Sequence, residues 1–253
     1  MFPLRDENAT ELVPYFTIAL IAINVAVWFL IQGAGLDMGA LQESVCTYGA
    51  IPAEVTGRAA PGAGGGSALQ CPIGGLTWGA LVTSMFLHGG WFHLIGNMWF
   101  LWIFGNNIED SMGHLRYLVF YLITGIAAAA GHILSAPGSV VPTVGASGAI
   151  SGIMGAYLVL YPKVRVHTLF FFIIFIRVIP VPAWIMLGYW FLFQVFSGTT
   201  TAAADAGVAF WAHIGGFVAG LVLVKLFERK ELVEAKRANI RLDPREIRGR
   251  GWW

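Results

Sequence analysis

Six stretches of the chain, 15–31, 91–108, 115–134, 147–161, 181–196 and 208–227, are apolar over lengths at or near the ~20 residues that span a bilayer. Repeated runs of that kind leave few architectures open. A chain buried in hydrocarbon has to satisfy every backbone N–H and C=O internally, which restricts it to helices or a closed barrel. The runs predict an all-α polytopic membrane protein with six transmembrane helices. Composition agrees, with 57% hydrophobic and 11% charged residues in 253, far from a soluble domain of that size. Two runs, 147–161 and 181–196, are short, which suits helices whose ends lie in protein or against a water-filled cavity. The apolar segment Thr168 to Ile176 follows Lys163 and Arg165 and precedes Arg177, so it reads as an interfacial or re-entrant piece.

The net charge of +1 hides an asymmetry, since nine of the fifteen Lys and Arg residues lie at or beyond Lys225. No global basic field points to nucleic acid. Lys163, Arg165, Arg177 and the tail fall on one side of the predicted topology, whereas 32–88 carries only Arg58. The basic side is therefore expected to be cytoplasmic. Three regions follow: a cytoplasmic N-terminus at 1–14, a membrane domain at 15–227 with a long outward loop at 32–90, and a charged, solvated cytoplasmic tail at 228–253. Residues 1–14 lack the basic start of a signal peptide and the composition of an organelle presequence, so a plasma (inner) membrane with both termini inside is expected.

Polar residues inside such runs mark function more often than packing. Ser147 opens the fourth run between Gly145 and Gly148, His93 and Asn97 lie four apart near the start of the second, and His213 lies near the start of the sixth. All three runs enter from the outside, so the four residues are expected at one depth near the outer surface. Gly148 and Gly152 in the fourth run, and Gly216 and Gly220 in the sixth, let two helix backbones approach closely. Such a crossing would bring His213 within hydrogen-bond reach of Ser147, the pairing a serine needs to lose its proton during attack. The helix N-terminus at Ser147, with His93 and Asn97, would hold the developing oxyanion. Asp205, the nearest carboxylate, lies in an outer loop, so a dyad is predicted.

Gly145-Ala146-Ser147-Gly148, His93-Leu94-Ile95-Gly96-Asn97 and Ala212-His213-Ile214-Gly215-Gly216 resemble the signatures of the rhomboid family of intramembrane serine proteases. The resemblance implies a six-transmembrane-helix rhomboid fold that cleaves transmembrane protein substrates within or beside the lipid bilayer, without metal or cofactor. It implies Ser147 as nucleophile, His213 as base, and His93, Asn97 and the Ser147 amide as oxyanion donors. His88, Phe104-Gly105, Glu109 and Gly113 also match, and His88 is expected to support the site from behind. The resemblance departs at Trp78, followed by Gly79 where some members have arginine. It departs again at Ser151, where some members set an aromatic ring against the histidine.

Other chemistries lack their residues. There is no His-Glu-x-x-His for zinc, no intramembrane aspartate pair, and no lysine in the outer half of a span. The rival readings are a catalytically silent rhomboid-like protein that binds transmembrane helices and a small transporter, for which paired repeats are absent. Trp184, Tyr189, Trp190 and Phe193, in the short fifth run after Pro180 and Pro182, mark a candidate lateral gate, and 197–207 is expected to cap the cavity. Cys46 and Cys71 both fall in the outward loop, around a Gly-rich stretch at 61–67, and an oxidising exterior would permit a disulfide.

Overall fold

The computed structural model of the protein describes residues 1–58, 71, 74, 78–172, 175–200 and 209–238. In chain order its main elements are β1 (Phe2–Asp6), α1 (Tyr15–Leu30), α2 (Met38–Tyr48), α3 (Trp91–Phe100), a π-helical turn (Leu101–Gly105) and α4 (Asn106–Met112). These are followed by α5 (His114–Ser135), α6 (Ser147–Leu160), β2 (Arg165–Phe172), β3 (Phe175–Pro182), α7 (Ala183–Thr200), α8 (Phe210–Phe227) and α9 (Lys230–Arg237).

Each apolar run is largely helical in its described residues. Among the described residues two helices, α5 and α8, are long and apolar enough to cross a membrane by themselves, while α1 and α6 are apolar but shorter. The second run, expected to end at Ile108, continues through the π turn to Met112. Glu109, fully buried, explains why α4 turns inward: its carboxylate accepts from Phe16 N at 2.9 Å, Thr17 N at 2.8 Å and Thr17 Oγ1 at 2.7 Å. Those are the unpaired amides of the first turn of α1, and a carboxylate there also meets the positive end of the helix dipole.

The core is the packing of α8 against α6 and α5. A Cβ on Gly216 would collide with the carbonyl oxygen of Gly148, and one on Gly220 with that of Gly152. The two glycine stripes therefore face each other, backbone against backbone, as helices in lipid pack when small residues line their seam.

Two expectations fail. The fold is mostly helical but not all-α: β1, β2 and β3 form a three-stranded antiparallel sheet in that order, with Asp6 opposite Val166 and Arg165 opposite Pro182. The segment expected as an interfacial or re-entrant piece is a β-hairpin, whose Phe171 and Ile176 are 67% and 68% exposed. Its residues are mostly β-branched or aromatic, and Pro180 and Pro182 are tolerated on the outer strand of the sheet, where a missing N–H can face away from the ladder. The same prolines delay α7 to Ala183 instead of Val181. The second failure concerns the tail. Residues 230–237 form α9 and dock: Leu232 and Val233 are buried, Arg229 Nε donates to Met112 O at 3.1 Å, and Arg237 Nη2 to Leu160 O at 2.6 Å. Residues 239–253, with Pro244, Trp252 and Trp253, lie outside the described residues.

In the loop expected to face outward, the described residues are braced by the segment that leads into α6. Ala50 and Thr143 exchange backbone hydrogen bonds at 3.0 and 2.8 Å, and Gly145 N donates to Ser84 O at 2.8 Å. Cys46 and Cys71 are bridged, with their Cα atoms 5.0 Å apart. The Gly-rich stretch 61–67 lies outside the described residues.

Candidate active site

Ser147 is the first residue of α6, and His213 stands in the first turn of α8. The glycine seam that brings these helices together fixes the distance between them. His213 Nε2 lies 2.8 Å from Ser147 Oγ, within the range of a good hydrogen bond. Gln194 of α7, 5% exposed, sets its Oε1 2.8 Å from His213 Nδ1. Trp190, one turn earlier on α7, lies with its ring centroid 5.8 Å from that of His213. It supplies from α7 the ring that Ser151 does not supply from α6; Ser151 Oγ instead donates to Ser147 O at 2.6 Å.

His93 stands in the first turn of α3. Gly89 N donates to its Nδ1 at 3.3 Å, so Nδ1 is the acceptor nitrogen of a neutral ring and Nε2 carries the hydrogen. That Nε2 points at Gly145, where a Cβ would sit 2.7 Å from it and 3.6 Å from Ser147 Oγ. Gly145 also has φ +123°, a conformation that side chains rarely adopt. Backbone shape and ring contact both require glycine at this position, and the result is a donor N–H and a serine hydroxyl flanking one small space. Asn97 is buried on the same helix face, with one amide N–H spent on His93 O at 2.9 Å.

His88 packs edge-on against His93 with ring centroids 5.1 Å apart, fully buried and, among the described residues, with neither ring nitrogen hydrogen-bonded. Burial first, and His93 second, push its imidazole down to about 3, so at neutral pH it is an uncharged wall behind His93. Gln32 holds this corner. Its amide donates to His88 O at 2.9 Å and accepts from His88 N at 2.8 Å. Gly148 sits against Ala128 of α5, and Ser147, Gly148, His132 and Thr143 line a small cavity beside the serine.

The structure thus gathers Ser147, His213, His93, Asn97, His88, Gly145 and Gly148 in one region, with Gly216 and Gly220 along the helix seam that leads away from it. His114 and His167 lie apart, paired with Glu109 at 2.6 Å and Glu7 at 2.9 Å. Of the expected cap at 197–207, residues 197–200 belong to α7 and not to a loop, and 201–207, with Asp205, lie outside the described residues. Gln194 was missed, because a glutamine in an apolar helix belongs to no motif; the only available signal was its being the one amide in α7. Among the described residues no cluster of His, Cys, Asp and Glu could hold a metal ion. Chemically, the arrangement offers an activated hydroxyl, a proton acceptor and convergent neutral donors.

The family model described as the rhomboid domain matches residues 76–230, more than half of the chain. Among curated proteins the chain is 32% identical to Rhomboid protease GluP of Bacillus subtilis over 145 residues, which is 57% of this chain and 24% of that protein. It is 46% identical to RHOMBOID-like protein 6, mitochondrial, of Arabidopsis thaliana over 81 residues, 31% of this chain and 25% of that one. To Rhomboid protein 1, mitochondrial, of Saccharomyces cerevisiae it is 28% identical over 148 residues, 56% and 40% respectively. The chain thus spans between 24% and 40% of the length of these relatives.

Proposed function

The chain belongs to the rhomboid family, and on that premise we propose that it is an intramembrane serine endopeptidase that cleaves transmembrane protein substrates through Ser147 and His213. The observation that carries this reading is the 2.8 Å contact between His213 Nε2 and Ser147 Oγ at a helix N-terminus. In the first step Ser147 Oγ attacks the scissile carbonyl carbon while its proton passes to His213 Nε2. The carbonyl oxygen becomes an oxyanion, held by the Ser147 amide, His93 Nε2–H and the second N–H of Asn97. Collapse of this intermediate breaks the C–N bond, and the imidazolium returns its proton to the departing amine. Water then attacks the acyl-serine by the same route and restores both side chains.

The six helical runs are taken as six spans, with the catalytic end toward the outer face and the basic loop residues Lys163, Arg165 and Arg177 toward the cytoplasm, in a plasma (inner) membrane. Substrate is proposed to enter sideways past α7, whose Tyr189, Trp190 and Phe193 line a gap toward Phe100 of α3. A substrate helix has to unwind there before a peptide bond can reach Ser147, because helical carbonyls are already paired. Substrates with Gly, Pro or polar residues near their outer end should therefore be cut fastest.

The test is cleavage of a single-span substrate in liposomes by the protein and by its Ser147→Ala and His213→Ala forms. Loss of about 10⁶-fold in each variant, with thermal unfolding unchanged, is expected when either half of such a pair is removed. Cleavage persisting in Ser147→Ala overturns the assignment. Failure of the unaltered protein on several unwinding-prone substrates favours a helix-binding, non-enzymatic role.

A further inference from the structure

We infer that Gln194 is a positioning residue for His213, and that its location on α7 makes the base competent only while α7 is seated; the inference rests on the serine endopeptidase reading above. Oε1 only accepts, so the 2.8 Å contact requires the hydrogen of His213 to sit on Nδ1. Nε2 is then left with its lone pair toward Ser147 Oγ, also at 2.8 Å, which is the tautomer that can remove the serine proton. A carboxylate does this in Ser-His-Asp sites. Here a neutral group does it inside an apolar bundle, where an ionised carboxylate would be costly to bury.

Gln194 and Trp190 are four residues apart and share a face of α7, so one helix supplies both the hydrogen-bond acceptor for His213 and the ring beside it. That helix also walls the gap through which substrate is proposed to pass, and Gln194 itself lines that gap. Outward movement of α7 would take Oε1 away from Nδ1 and free the imidazole to turn. Opening and competence are then alternatives: the base is aligned after α7 returns behind the substrate. During attack the proton on Nδ1 stays there, and Oε1 stabilises the imidazolium by accepting from it without taking a proton.

The experiment compares the full chain with Gln194→Met, which keeps length but loses the acceptor, and Gln194→Glu, which keeps an acceptor. Three quantities are read: the rate at which a small fluorophosphonate labels Ser147, kcat and KM on a single-span substrate, and the thermal midpoint. Gln194→Met is expected to lower both the labelling rate and kcat by about 10²-fold, the lower range for loss of general-base function, with KM within about twofold. Gln194→Glu is expected to lose less than about tenfold on the same scale. Wild-type labelling by Gln194→Met, or a rise in KM at constant kcat, overturns the inference while leaving the protease reading intact. If Gln194→Met is poorly folded, Gln194→Glu decides, and a loss there as deep as in Ser147→Ala overturns it. A wild-type protein that is not labelled at Ser147 sinks the protease reading, and this inference with it.

Discussion

At the Ser147 end of α6 the polar groups are neutral and thinly partnered, whereas at the Leu160 end they are charged and densely paired. Around Ser147 stand His213 and Gln194, joined from α6 to α8 to α7 by single hydrogen bonds, and His93 and Asn97, bonded only within α3 and its entry. Around Leu160, Arg237 donates to the last carbonyls of α6, and Lys236 reaches Asp110 at 2.7 Å and Asn107 at 2.8 Å. Tyr161 bonds Ser111 at 2.6 Å, and Asp6 receives Tyr157 at 2.5 Å and Asn107 at 2.8 Å. A helix held by its far end can present the proposed nucleophile as its first residue among few and neutral partners. Cations at its C-terminus also offset the negative end of the dipole.

The comparison can be broken at either end. The largest effect is expected from His93→Ala, which removes a donor from the oxyanion position. If His93 is the oxyanion donor proposed above, kcat should fall by about 10² to 10³-fold with little change in unfolding, and a fall in stability without a fall in kcat would make the Ser147 end structural. Next is Lys236→Met, which leaves Asp110 buried without its cation. A stability loss of about 3 kcal/mol is expected for breaking a buried pair, with cleavage per folded molecule preserved. Loss of kcat at full stability would show instead that the far end tunes chemistry.

The smallest effect concerns Asp6, whose carboxyl burial pushes up to about 6 from 3.8. A folded state that holds its proton more tightly than the unfolded chain gains a contribution that is complete below the unfolded value and disappears as pH rises through about 6. Between about pH 4 and about pH 6.5 the wild-type thermal midpoint should therefore fall relative to that of Asp6→Asn. Parallel profiles would mean that the carboxyl is better solvated than its partners suggest.

The helices and the Ser147–His213 pairing were legible because hydrophobic length and small-residue spacing act locally along the chain. The sheet was not. Leu169 to Phe172 reads equally well as an interfacial helix or a strand, and what decides is the pairing of β2 with Phe2 to Asp6, more than half the chain away. Gln194 was illegible for a related reason, since its meaning lies in an imidazole carried by another helix. The charges of α9 read as solvated because a sequence shows like charges and carboxylates, while Arg237 finds main-chain carbonyls that every segment possesses.

The pairing of β1 with β2 bears on how the molecule is assembled. The strand made first cannot close its ladder until residues 165–172 exist, and α9 cannot lock α6 until the last helix of the bundle has emerged. Closing so long a loop is an entropic cost met only after the intervening helices have drawn its ends together. The order of synthesis therefore leaves the far end of α6 unfastened until nearly the whole described chain is in place, and the reactive end acquires its fixed support last.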